Sequence, residues 1–262
     1  MSSRPPPPPQ LRPLPVAESI LWTPVEGGGG GGAATAADLP PYPVFLGQHA
    51  LGAIHDHFKV APNTGLLGFL VGDLCESPPP DSGARYIVVD LVIRLPLPIR
   101  GDEMTLAISQ VWDKLQGEIR KSRRHLLGWY HSHPPMGVAL TPGDLEAHRR
   151  YFAEPWQCAL VLGAEKQGPV GGFFRPARQE SGLPIRLPFY EILEAGAVTA
   201  EGRYRSRVPW KNYRPHRPPA PPPLVAAQAA SAAPTEPRRP AVRIAPPPVE
   251  AVPRPQIGRA HV

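Results

Sequence analysis

Five consecutive prolines stand at positions 5–9, and the same residue crowds the C-terminal quarter of the chain. Proline locks φ and donates no backbone hydrogen bond, so such stretches are barred from helix interiors and central strands. The 262 residues include 40 prolines and 25 glycines, near the level of low-complexity sequence, but they are unevenly spread. Residues 1–42 carry RPPPPPQLRPLP and EGGGGGGAATAAD; residues 196–262 carry PHRPPAPPPL, AAQAASAAP and AVRIAPPPVEAVPRP. Neither end shows sustained apolar periodicity, and neither buries enough apolar surface to offset its ordering entropy. Both are expected to be disordered arms. One folded domain remains, at 43–195, long enough for a proper core.

The net charge of +6 is concentrated at one end. Residues 197–262 hold 11 Lys and Arg against 3 Glu, so the rest of the chain is slightly acidic. A basic, proline-rich tail serves solubility and spacing, or holds acidic partners or nucleic acid loosely. A nucleic-acid role is not expected of the folded domain. The run RYRSRVPWKNYRPHR at 203–217 mixes Arg with Tyr and Trp; of the whole tail it is best suited to dock, including back onto its own domain. Polyproline arms suit partners that read Pro-rich motifs. Cys75 and Cys158 are too far apart for a CxxC pair and too few for a disulfide framework. There is no apolar h-region near the start and no run approaching about 18 apolar residues. A cytoplasmic setting without membrane attachment is expected.

Within the domain, QHALGAIHDHFK (48–59) places Ala50, Leu51, Ile54 and Phe58 on one helical face. LLGFLVGDL (66–74) reads as a buried strand, and ARYIVVDLVIRL (84–95) is rich in β-branched residues. TLAISQVWDKLQGEIRKSRR (105–124) has apolar residues three and four apart and ends in cations, which suits a helix C-terminus. HLLGWYHSH (125–133) is the next strand, TPGDLEAHRRYF (141–152) the next helix, and QCALVLGA (157–164) and PVGGFFRPA (169–177) two more strands. FYEILEA (189–195) reads as a closing helix. The result is a mixed α/β domain, a central sheet flanked by helices.

GWYHSHPPMGVALTPGD (128–144) carries the chemistry. Residues i and i+2 of a strand share a face, so His131 and His133 project together as a chelating pair of imidazoles. Asp144 begins the next helix, and the turn through PPMG can bring that helix start back over the strand end. Two His and one carboxylate leave a fourth position open, the pattern of a catalytic zinc site, where a bound water ionises near neutral pH. A second reading needs no metal. Thr141-Pro142-Gly143-Asp144 is also a helix N-terminus, with Thr141 as N-cap, Pro142 at N1 and the Asp144 carboxylate at N3.

GWYHSHP followed by Leu140, Thr141 and Asp144 resembles the His-x-His-x10-Asp signature of the JAMM/MPN (Mov34/PAD-type) zinc metalloproteases, which include deubiquitinases. The upstream GFLVG (68–72) resembles that family's Gly-x-Leu-x-Gly strand. The resemblance covers about 43–180. It implies a cytidine-deaminase-like curved sheet between helices, Zn²⁺ held by His131, His133 and Asp144, and Thr141 as the hydroxyl that steadies an oxyanion. It also implies a protein or ubiquitin-like substrate. The short span between 150 and 157 leaves no room for a long ubiquitin-positioning insertion, so the compact, prokaryotic-like form is expected.

One position departs from the pattern. The family's general-base Glu stands three residues before Gly68, where this chain has Gly65, and no Glu occurs from 27 to 75. Such a group is worth about 10²- to 10⁴-fold in rate. Asp56, His55, His57, Asp73 and Glu76 are the nearest alternatives in sequence. Two readings therefore stand: a zinc-dependent hydrolase of peptide or isopeptide bonds, and a catalytically impaired MPN-type scaffold or protein-binding module.

Overall fold

The computed structural model describes residues 7–25, 41–60, 64–79, 83–96, 103–132, 134, 137–176, 184–197 and 204–216. All lie in the unit Met1–Pro221; a second unit, Pro222–Val262, is outside the described residues. In chain order the elements are β1 (Gln10–Leu11), β2 (Ser19–Pro24), β3 (Val44–Gly47), α1 (Gln48–Val60), β4 (Leu66–Glu76), β5 (Arg85–Arg94) and α2 (Met104–Ser122). Then come β6 (His125–Ser132), α3 (Pro142–Tyr151), β7 (Cys158–Glu165), β8 (Gly168–Arg175), β9 (Ile185–Leu187), β10 (Phe189–Ile192) and β11 (Tyr213–His216).

The described strands form one mixed sheet, ordered β11-β2-β10-β3-β5-β4-β6-β7-β8-β9. β1 runs parallel to the far end of β4, pairing Gln10 with Cys75. β4 and β6 are buried along almost their whole length, because both faces of the sheet are covered. Period-2 alternation sorts their side chains. Leu66, Leu70, Leu127 and Tyr130 pack with Leu51 and Ile54 of α1. Leu67, Phe69, Leu126 and Trp129 pack with Ile108 and Leu115 of α2 and Ala147 of α3. So α1 covers one face, and α2 and α3 cover the other.

A bulge re-aims β6. Its register with β4 shifts between Leu70 and Val71, opposite the step from Gly128 to Leu126. Gly128 has φ of +146°, and a Cβ there would lie 1.8 Å from the carbonyl oxygen of Cys158. Only glycine suits that conformation and that approach. The bulge sets which of Trp129, Tyr130 and His131 faces which layer. Opposite, a Cβ on Gly68 would lie 2.3 Å from the Tyr130 ring, so that glycine makes room for the tyrosine.

The structure corrects three expectations. FYEILEA does not form a helix: Phe189–Ile192 is strand β10, antiparallel to β2 and parallel to β3. Seven residues are too few to hold a helix alone, and two long-range partners satisfy both edges of the strand instead. Phe189 turns to the α1 face, while Tyr190 stacks on Phe45 at 4.6 Å on the other.

The second correction concerns the N-terminal arm. Ser19–Pro24 lies between β10 and β11 in the sheet, with Ile20 and Trp22 buried. The third concerns the tail beyond 195, which is ordered at 204–216. Trp210 and Tyr213 sit against Phe189 at ring-centroid distances of 5.3 and 5.2 Å. The folded unit thus exceeds 43–195 at both ends. Residues 1–6, 26–40, 198–203 and 217–262 of the expected arms lie outside the described residues.

Glu191 of β10 ties these additions together. It is fully buried, and each carboxylate oxygen accepts two hydrogen bonds. Gln48 Nε2 donates at 2.8 Å and the Arg207 backbone N–H at 2.7 Å to one oxygen. Trp22 Nε1 at 3.1 Å and Ser206 Oγ at 2.6 Å donate to the other. One side chain thereby links β2, α1 and the returning tail.

Candidate metal centre

His131 is the penultimate residue of β6, paired with Leu67 of β4 and Val161 of β7. It lies on the α3 face, and its ring stacks on Trp129 at 4.2 Å with a 13° interplanar angle. α3 starts opposite it. Thr141 is the N-cap: its hydroxyl accepts from the Asp144 backbone N–H at 3.1 Å. The Asp144 carboxylate accepts in return from the Thr141 N–H at 2.8 Å, completing a capping box. The helix start predicted from Thr-Pro-Gly-Asp is therefore present in full.

The cap does not exhaust Asp144. The same oxygen that takes the Thr141 N–H, Oδ2, lies 3.3 Å from His131 Nε2. Both residues are buried. The turn between β6 and α3 thus delivers an imidazole nitrogen and a carboxylate oxygen, both good zinc donors, to one point. His133, the third expected ligand, lies outside the described residues. Among the described residues no group of three His, Cys, Asp or Glu is placed to hold a metal ion. The donor pair that is described fits zinc in chemistry and proximity.

Thr141 spends only its oxygen lone pair on the cap. A hydroxyl also carries a proton to donate, so capping and steadying a developing negative charge are compatible in one side chain.

Gly65 adjoins Leu66, which pairs with Ser132, so the position expected to hold a carboxylate is at the His131 end of the strand pair. Every alternative base is placed elsewhere. His57 Nδ1 is 2.8 Å from the Tyr130 hydroxyl, on the α1 face. His55 packs its ring against Trp210, also on that side. Asp56 is exposed and paired with Lys59. Asp73 meets Gln10 and Arg124, and Glu76 meets Arg85, at the opposite end of β4.

Two further residues on α3 reach the site and were not singled out from the sequence. His148 accepts a hydrogen bond on Nδ1 from Trp129 Nε1 at 3.1 Å. Phe152, the C-cap residue, stacks near parallel to that indole at 5.6 Å and 6°. Burial, with smaller contributions from Arg175 and His131, lowers the His148 pKa to about 4. The signal was the spacing of 144, 148 and 152, one residue per turn along a single helix face. A cleft of about 830 Å³ opens beside Trp112, Arg124, His125 and Trp156, at the start of β6 and away from His131.

Residues 43–154 match the family described as JAB1/Mov34/MPN/PAD-1 ubiquitin protease. The match takes in β3 through α3, the elements that build the site. The match extends over 112 of the chain's 262 residues. Among solved structures, that of protein DSY2949 from Desulfitobacterium hafniense is similar. It has 19% sequence identity and a TM-score of 0.40, over 56% of this chain and 92% of that chain. No curated protein matches the chain. Among the described residues no helix is long and apolar enough to cross a membrane.

Proposed function

We propose that this chain is a zinc-dependent hydrolase of the JAMM type, cleaving a peptide or isopeptide bond. The observation that carries the reading is the buried approach of His131 Nε2 to Asp144 Oδ2 at 3.3 Å. His131, His133 and Asp144 would hold Zn²⁺. The ion, when bound, supplies Lewis acidity and a water acidic enough to ionise near neutral pH. The remaining work falls to the chain itself. Asp144 is oriented by the capping box and cannot swing without undoing the first turn of α3. Thr141 offers its hydroxyl proton to the oxygen on which negative charge develops.

The substrate proposed is the C-terminal linkage of a ubiquitin-like protein, and the Pro-rich segments are proposed to meet a partner that reads such motifs. A cytoplasmic, reducing setting suits the two thiols, which are free and buried; burial pushes that of Cys158 up to about 12.

Gly65 favours a second reading. With no carboxylate at that position and every alternative base on another face or at another end, proton transfer lacks its usual carrier. A metal-holding module that binds its protein target without turning it over accounts for that feature. The two readings separate in one assay. Purified full-length chain is incubated with zinc and a panel of ubiquitin-like C-terminal fusions, alongside Thr141→Ala. Cleavage that drops about 10²-fold or more in the variant supports the hydrolase. Saturable binding of a fusion without cleavage supports the module.

A further inference from the structure

We propose that His148 is a positioning residue that sets the plane of the His131 imidazole through Trp129. The inference rests on the metal-centre reading but names a residue outside its expected ligand set. The indole of Trp129 has three ring neighbours. His131 stacks on it at 4.2 Å and Phe152 at 5.6 Å, both within 13° of parallel. The ring's single polar atom donates to His148 Nδ1 at 3.1 Å.

The hydrogen bond matters because the torsion that rocks an indole is broad. Stacking alone resists tilt but lets parallel rings slide. A buried N–H with one acceptor fixes the ring against sliding, since leaving that donor unpaired is costly. The indole nitrogen donates only, so Nδ1 of His148 is the acceptor and any ring proton sits on Nε2. His148 is buried beside Phe152, their rings 5.7 Å apart. Asp144, His148 and Phe152 form one stripe at i, i+4 and i+8 along α3. The helix that supplies the carboxylate therefore also clamps the ring on which the imidazole lies. A shift of α3 moves both donors together.

The test uses full-length protein with His148→Leu, His148→Asn and His148→Gln. Leucine fills the space without an acceptor. Asparagine places an oxygen near the Nδ1 position, and glutamine places one near the Nε2 position. The first readout needs no metal: the ring-proton NMR shifts of His131, displaced by the Trp129 ring current and assigned by their loss in His131→Ala. The second is the zinc dissociation constant, by chelator competition. We expect the Leu and Gln variants to lose the displaced shifts and bind zinc about 10- to 100-fold more weakly, with Asn restoring both. Wild-type shifts in the Leu variant would overturn the proposal; if that variant does not fold, wild-type shifts in Gln would do the same. If wild-type protein binds no zinc while the shifts still depend on the acceptor, the positioning role stands and the hydrolase reading falls.

Discussion

Replacing Glu191 by Ala should detach both terminal additions from the sheet. The carboxylate is fully buried and accepts from Trp22, Gln48, Ser206 and Arg207. Ser206 can turn its hydroxyl elsewhere, but the indole, amide and backbone donors cannot. Three donors lose this acceptor, Trp22 and Gln48 in buried contacts and Arg207 in a part-buried one. Gln48 Nε2 keeps the Arg205 carbonyl oxygen, and each N–H left unpaired costs about 1–3 kcal/mol. Losing the desolvation penalty of the carboxylate offsets part of that, so the low end, about 3 kcal/mol, is the expected loss. Against a typical total of about 5–15 kcal/mol, that is large. Glu191→Gln should cost less, because its oxygen still serves Gln48 and Arg207 while Ser206 accepts from the new amide, leaving Trp22 opposed. Urea unfolding gives the free energies, and limited trypsinolysis at Arg205 and Arg207 shows whether the tail has been released. A loss below about 1 kcal/mol with the tail still protected would refute this account of how the ends are held.

Three further outcomes are expected. Gly128→Ala should destabilise the domain by several kcal/mol or prevent folding, since backbone, not a flexible side chain, stands 1.8 Å from the new Cβ; a melting temperature near wild type would place the bulge wrongly. Gly65→Glu should raise hydrolysis at least about 10-fold, toward the 10²- to 10⁴-fold that general acid–base groups contribute, measured on a ubiquitin-like fusion with zinc present. His55, half-buried against Trp210, has its pKa lowered from 6.5 to about 4, first by burial and then by Lys59. The unfolded chain therefore binds more protons between those values. The stability contributed by His55 is complete above pH 6.5 and is lost as pH falls toward 4, and His55→Gln should flatten that part of a urea-midpoint profile.

What could be read in advance was local. α1, α2 and the strands β4 to β8 announce themselves through apolar spacing and β-branched content within each segment. The N-terminus of α3 was written in four residues, Thr141 to Asp144. What could not be read depended on distant partners. In FYEILEA, Phe189, Ile192 and Leu193 also satisfy a helical spacing, and only β2 and β3 decide for a strand. Ser19–Pro24 alternates Ile20 and Trp22 over just six residues, between a proline run and a glycine run that mask it. The aromatic content of 203–217 did mark a segment fit to dock, and Trp210 and Tyr213 are the residues that enter the core. At the site, His131 and Asp144 were legible as residue types at a spacing. The clamp through Trp129 was not, because a His and a Phe on an amphipathic helix look like ordinary core residues until both are seen to meet the indole.

The central claim is that His131, His133 and Asp144 hold zinc. Elemental mass spectrometry of the purified full-length chain, beside His131→Ala and Asp144→Asn, tests it most directly. The account predicts one zinc per wild-type chain, lost in His131→Ala and reduced in Asp144→Asn. Zinc-free wild-type protein, folded by circular dichroism and still empty after dialysis against zinc, would contradict it and leave Asp144 as a helix cap alone.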